Sequence, residues 1–236
     1  MKSIKNYLSS CFESLLDNDD VYLSKTDDII IKKYINDNYT ITGNLTISKD
    51  LVVDCDGGVT TDNKSIESLT NNLFRWGKIE RYFDCGDCKN LTSLEGAPKE
   101  VGGGFWCNGC KNLTSLEGAP EKVGGFYGGK CEKLTSLEGA PKEVGEIFNC
   151  RYCNNLISLK GAPERVGGSF DCSYCKNLKS LKGAPKKVGI DFWCNHCDNL
   201  TSLKGAPKEI DDALYCTGCR NLKITDSDRK KYKIMV

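Results

Sequence analysis

Apolar residues fall into columns along this chain, at a spacing too long for any single helix or strand. Phenylalanine recurs at Phe83, Phe105, Phe126, Phe148, Phe170 and Phe192, with Leu214 closing the series, in steps of 22, 21, 22, 22, 22 and 22 residues. Two leucine columns travel with it: Leu91, Leu113, Leu134, Leu156, Leu178, Leu200, Leu222 and Leu94, Leu116, Leu137, Leu159, Leu181, Leu203. A further column runs Val101, Val123, Val144, Val166, Val188, Ile210, and all six prolines, Pro98 through Pro207, share one position after Gly-Ala. A unit of this length cannot bury a core alone, whereas stacked copies superpose each column into a continuous ridge. Phe-x-Cys alternates in and out as a short strand does, so successive strands should lie parallel about 4.8 Å apart. Gly-Ala-Pro turns the chain. The pattern predicts a mainly β solenoid over residues 83–222, with a parallel sheet on the concave face and irregular return segments whose valines point inward.

Outside the repeats the period changes. From Lys2 to Leu16, the side chains Ile4, Leu8, Cys11, Phe12, Leu15 and Leu16 share one helical face, which predicts a short amphipathic N-terminal helix within residues 1–24, a docking or targeting segment. Tyr39-Thr-Ile-Thr and Leu45-Thr-Ile-Ser alternate as strands around Gly43-Asn44, which reads as a hairpin turn. Leu51 to Cys55 reads as a degenerate strand, and Ile79 falls on the valine column. Residues 25–82 are therefore expected to cap the first repeat, and residues 223–236, with the basic run Arg229-Lys230-Lys231, to cap the last.

Phe105, Cys107, Cys110 and Leu113 fall on the first strand leucine, the second strand leucine, the Asn/Cys position and the following leucine of the pattern L-x-x-L-x-L-x-x-N/C-x-L. From Phe83 to Leu222 the chain thus resembles leucine-rich repeat proteins, departing from them in the cysteine that stands at the second strand leucine almost throughout. The LTSL-x-x-x-P phrase looks like the short repeats of bacterial effector proteins. The LTSLEGAPKEVGG phrase looks like repeat proteins of tailed bacteriophages and gut bacteria. The resemblance implies a leucine-rich-repeat-like architecture, a phage source, and a host-cell cytoplasm or virion as the compartment. It implies no activity.

Charge and composition narrow the function. Lys and Arg number 33 and Asp and Glu 32, so a global field for nucleic acid is absent. No run of 18 apolar residues predicts a membrane span, and the N-terminus lacks the continuous apolar core of a signal peptide, so a reducing cytoplasm is expected. Fifteen cysteines would suit a secreted disulfide scaffold, but the count is odd and the cysteines follow the repeat. Cys85-x2-Cys88 followed by Cys107-x2-Cys110 has the spacing of a zinc site, as do Cys150, Cys153, Cys172 and Cys175; a metal-binding or thiol-redox protein is the alternative function. Small buried cysteines explain the columns equally simply. The third repeat favours that explanation, because Gly128 replaces the first cysteine while Phe126, Cys131, Leu134 and Pro141 remain. No metal and no cofactor are expected. His196 is the lone histidine; Cys194 beside it should face inward while the imidazole faces outward. No hydrolytic triad, phosphate loop or carboxylate pair is recognisable, so a non-enzymatic protein is expected.

The residue between Phe and Cys should face solvent. That column holds Asp84, Trp106, Tyr127, Asn149, Asp171, Trp193 and Tyr215; the next outward position adds Arg151, and Tyr152, Tyr174 and His196 lie just beyond. Aromatic rings on a rigid sheet give large contact area at little entropic cost. Trp106, Tyr127, Asn149, Arg151, Asp171, Trp193 and Tyr215 are thus the candidate ligand-binding residues, for a protein or peptide or an oligosaccharide; nucleic acid and membranes are not expected partners. The residue before Gly-Ala-Pro is Glu95, Glu117, Glu138 and then Lys160, Lys182, Lys204. This end-to-end polarity reads either as function or as drift among duplicated repeats.

Overall fold

A computed structural model describes residues 20–71 and 73–236. The amphipathic helix expected over Lys2–Leu16 lies outside the described residues. A helix does precede the repeats: α1 (Asp20–Asn38) runs across the expected boundary at residue 24. Ile31 and Ile35, one helical turn apart, enter the core from it.

The strands of the N-terminal cap occur where alternation places them, but with other partners. β1 (Tyr39–Ile41) pairs antiparallel with β4 (Val59–Thr61), and β2 (Leu45–Ile47) pairs antiparallel with β3 (Val52–Cys55). Gly43-Asn44 is therefore not the turn of a β1–β2 hairpin. The Asp56 carboxylate decides this, accepting from the Asn44 backbone N–H at 2.6 Å and from Asn44 Nδ2 at 2.8 Å, while the Thr42 N–H reaches the Gly58 carbonyl at 2.9 Å.

The chain coils into a parallel β-solenoid of about eight turns, the first made by β3 and β4 of the cap, which pair parallel with the next two strands. Each turn contributes two short strands. In the second turn these are β5 (Arg75–Ile79) and β6 (Phe83–Asp84); in the next two they fuse into β7 (Glu100–Trp106) and β8 (Lys122–Tyr127). Then follow β9 (Glu143–Val144), β10 (Phe148–Asn149), β11 (Arg165–Val166), β12 (Phe170–Asp171), β13 (Lys187–Val188), β14 (Phe192–Trp193), β15 (Glu209–Ile210) and β16 (Leu214–Tyr215). Phe pairs with Phe from Phe83 to Phe192 in strict parallel register, forming a Phe sheet. The return segment is irregular around the leucines and Gly-Ala-Pro and regular at its end. Its valines form a second parallel ladder, the Val sheet, running Ile79, Val101, Val123, Val144, Val166, Val188, Ile210. Glu-Val and Lys-Val alternate outward and inward as Phe-x does, and the glycine that follows lets successive turns approach closely.

The leucine side is also stitched between turns. Leu94 N–H donates to Glu117 O at 2.9 Å, Leu116 to Glu138 at 3.1 Å, Leu137 to Lys160 at 2.8 Å and Leu159 to Lys182 at 3.1 Å. Its corner is a tight turn in which Ala119 N–H closes on Leu116 O at 2.9 Å with Gly118 at φ +85°. Only glycine takes that conformation freely, and a Cβ there would strike the Leu94–Glu95 backbone of the preceding turn. The one 21-residue step loses a residue at the opposite corner, between Val123 and Phe126, and the β7–β8 register shifts there.

Inside, the six phenylalanines stack face to face, with centroids 4.8–5.9 Å apart and planes within 15°. Both leucine columns close around them from Leu91 to Leu203. The C-terminal cap is α2 (Asp226–Lys231), begun by a Thr225–Asp228 capping box, and β17 (Ile234–Met235), which adds a last parallel rung to β16. Tyr232 hydroxyl anchors this cap on Pro207 O at 2.8 Å.

Candidate functional site

All 14 described cysteines are unpaired thiols, and 13 of them are buried, Cys219 being half-exposed. From Cys110 onward, the second cysteine of each turn donates its thiol to the carbonyl of the first-cysteine position one turn earlier. Cys110 Sγ reaches Cys85 O at 3.2 Å, Cys131 reaches Cys107 at 3.4 Å, Cys153 reaches Gly128 at 3.4 Å, Cys175 reaches Cys150 at 3.3 Å, Cys197 reaches Cys172 at 3.3 Å and Cys219 reaches Cys194 at 3.0 Å. The strand ends at that carbonyl and leaves it without a ladder partner, so the thiol satisfies a buried acceptor. Gly128 keeps its carbonyl, which is why the third repeat tolerates losing the first cysteine. Burial pushes the Cys88 thiol up to about 11 and the Cys110 thiol up to about 12, so these thiols stay protonated at neutral pH. Among the described residues no group of three or more His, Cys, Asp or Glu side chains is arranged to hold a metal ion.

The outward column divides into two kinds of residue. Asp84, Asn149 and Asp171 turn their side-chain oxygens back to accept from the N–H two residues on, at 2.8, 3.0 and 2.9 Å. They close the turn after the strand. Where Trp193 or Tyr215 stands instead, the equivalent N–H groups of Asn195 and Thr217 are taken by Ser173 Oγ at 3.3 Å and Asn195 Oδ1 at 2.9 Å from the turn before. Asp171, expected to face solvent, is buried. Burial raises its carboxyl above the usual range, opposed by the Ser173 hydrogen bonds and by Arg151. Arg151 Nε lies 3.5 Å from Asp171 Oδ2, an ion-pair distance without hydrogen-bond geometry.

The aromatic members do something different. The Trp106 ring lies over Gly104 and the Tyr127 ring over Gly125, where a Cβ would collide with them. Trp106 and Tyr127 stack at 5.2 Å and 11°, and Tyr82, not foreseen from the sequence, packs edge-on against Trp106 at 5.7 Å. Trp193 and Tyr215 are farther apart, 6.1 Å and tilted by 52°.

A second aromatic pile follows at the turn. The residue before each second cysteine is left-handed: φ is +61° at Tyr152, +63° at Tyr174 and +54° at His196, with Gly109 and Gly218 in the same place elsewhere. A bulky side chain there costs about 1–3 kcal/mol. Stacking of Tyr152 on Tyr174 and of Tyr174 on His196, both at 4.6 Å, returns about 0.5–1.5 kcal/mol per pair. The Arg151 guanidinium sits over both tyrosines, 5.5 Å and 5.4 Å from their centroids.

Between the two piles is a depression of about 420 Å³ lined by Trp106, Tyr127, Lys130, Asn149, Arg151 and Tyr152, among others. It brings together four of the seven expected site residues; Asp171, Trp193 and Tyr215 are not part of it. Lys130 and Tyr152 join it through the turn geometry of Cys-x-x-Cys, whose clue in the sequence was the aromatic and basic filling of a position suited to glycine. Only cations carry charge on its wall. A larger groove of about 900 Å³ follows the Val sheet over a floor that includes Gly102, Gly124, Gly145 and Gly167, and its flanking charges neutralise one another, as in Lys122–Glu143 at 3.3 Å. No family model, no curated protein and no solved structure matches the chain. The geometry alone therefore carries the functional argument.

Proposed function

We propose that this β-solenoid is a non-enzymatic binding or scaffold protein, and that the exposed face of its Phe sheet recognises a protein or peptide. One observation supports this above others. Large rings stand on this face where the backbone suits something smaller: Tyr152, Tyr174 and His196 at left-handed positions, beside Trp106 and Tyr127 on the strands. Packing of the core does not require them, since Asp84, Gly109 and Gly218 serve the same positions in other turns. Rings preset by stacking lose little freedom on binding, which is what interface anchors need. Lys130 and Arg151 would favour an acidic group beside the rings. The leucine-rich-repeat character, the phage origin and a cytoplasmic or virion location belong to the same proposal and rest on the repeat phrases quoted above. A metal-binding or thiol-redox use of the cysteines is the alternative reading; among the described residues no group of three or more His, Cys, Asp or Glu side chains is arranged to hold a metal ion.

The test is capture of partners from a native lysate on the immobilised chain, followed by titration of the purified partner. Trp106→Ala and Tyr152→Ala should each weaken binding by about 2 kcal/mol or more, as anchor residues do. Capture of glycan in place of protein, or unchanged affinity in both variants, would reject the assignment.

A further inference from the structure

The charged columns of this solenoid follow two different rules. The columns from Lys78 to Glu209 and from Lys99 to Lys208 each alternate in sign at every step but one, and opposite charges on adjacent turns pair within the chain, as do Lys142 with Glu121 at 3.8 Å, Lys186 with Glu164 at 2.8 Å and Lys187 with Glu209 at 3.4 Å. The column before Gly-Ala-Pro does not alternate. It presents Glu95, Glu117 and Glu138, then Lys160, Lys182 and Lys204. Only the junction pairs, Lys160 with Glu138 at 2.8 Å. Glu95, Glu117, Lys182 and Lys204 form no ion pair among the described residues, and like charges occupy adjacent rungs. The carbonyls of Glu117, Glu138, Lys160 and Lys182 are themselves in the inter-turn hydrogen-bond ladder, which keeps the rungs evenly spaced.

A block of three acids followed by three bases on an even ladder complements its own reverse. A two-fold axis lying in this face, perpendicular to the solenoid axis and crossing it between Glu138 and Lys160, returns the column onto itself with the order reversed. Glu95 then meets Lys204 of the second copy, Glu117 meets Lys182 and Glu138 meets Lys160. The other two-fold arrangement, with solenoids parallel, sets like charge on like. One apolar position marks the same place. Ile157, 52% exposed, stands next to Thr135 on the two rungs that flank the axis, where the neighbouring column otherwise holds threonine or lysine. Two copies would cover it at the centre of the interface.

We infer that the Gly-Ala-Pro edge is a self-association surface, on which a second copy of this chain docks antiparallel through the Glu–Lys column. This edge is a different side of the coil from the Phe-sheet face, so the dimer is independent of the binding function proposed above. The contact is narrow and its charges are exposed, so association is weak and strongly dependent on salt.

Sedimentation equilibrium tests it on the full chain. The wild type should dimerise at about 0.01 M salt and dissociate at about 1 M, as the screening length falls from about 30 Å to about 3 Å. The variant Glu95→Lys/Glu117→Lys/Glu138→Lys, and separately Lys160→Glu/Lys182→Glu/Lys204→Glu, should each self-associate at least about tenfold more weakly, because like charges then face each other. An equimolar mixture of the two should recover a dimer, and so should the variant with all six reversed. Circular dichroism confirms that each variant is folded, which exposed side chains at these positions permit. A wild type that stays monomeric at low salt overturns the inference. So does one-sided variants dimerising as the wild type does, or a mixture that fails to recover.

Discussion

Cys175 Sγ lies 3.3 Å from the carbonyl oxygen of Cys150, one full turn earlier in the coil, and donates to it. The two cysteines of the repeated Cys-x-x-Cys thus have unequal tasks. Cys150 fills space in the core, while Cys175 also satisfies a buried acceptor. Removing the donor orphans that carbonyl at about 1–3 kcal/mol, beyond the packing loss that both sites share. Cys175→Ala is therefore expected to lower stability more than Cys150→Ala does, by at least about 1 kcal/mol in urea unfolding. Equal losses at the two sites would remove the carbonyl ladder from the account of the repeat.

The thiols also set a limit at alkaline pH. The folded values of about 11 for Cys88 and about 12 for Cys110 lie above an unfolded thiol near 8.5, so the unfolded chain ionises first. Stability from these groups is complete below about pH 8.5 and declines as pH rises toward their folded values. Melting temperatures measured from pH 7 to pH 10.5 should be level at first and then fall. A curve flat across that range would mean that the thiols are not desolvated.

Phe148 sits between Phe126 and Phe170, with centroids 4.8 Å and 5.1 Å away, and is fully buried. Phe148→Ala should cost about 3–5 kcal/mol, since the ladder hydrogen bonds on either side prevent the turns from closing on the space. A loss below about 1 kcal/mol in equilibrium unfolding would contradict the stacked core.

The two strand tryptophans should separate in a melting experiment. Trp106 covers Gly104 and stacks on Tyr127, whereas Trp193 has Asp191 at the position equivalent to Gly104 and is tilted against Tyr215. Trp106→Ala is expected to cost about 0.5–1.5 kcal/mol more than Trp193→Ala. Equal costs would show that the Trp106–Tyr127 pile adds nothing to folding.

The architecture was readable in the sequence because a repeat states each packing contact several times over. Phe83 to Phe192, the leucines and the valines each fall on one inward ladder. The second sheet was less visible, since Glu-Val and Lys-Val are two-residue strands whose pairing comes from the turns above and below rather than from local alternation. The cap pairing escaped for a related reason: Gly43-Asn44 has the composition of a hairpin turn, yet Asp56, twelve residues on from Asn44, holds that bend against another strand. At the candidate site, alternation correctly placed Trp106 and Tyr127 outside. It could not show that Asp171 is covered, because Arg151 and Ser173 bend over it from the turn. Nor could it show that Lys130 and Tyr152 share a depression with the tryptophan, since that depends on a left-handed residue between the cysteines.

Hydroxyl-radical footprinting of the chain with its captured partner is the most direct test of the binding face, because it reads ring exposure residue by residue. Oxidation of Trp106, Tyr127 and Tyr152 should drop in the complex, while Tyr232 in the C-terminal cap should react as in the free chain. Protection that spares those three rings and falls on the cap or on the Gly-Ala-Pro edge would contradict the proposal that the Phe-sheet face is the functional surface.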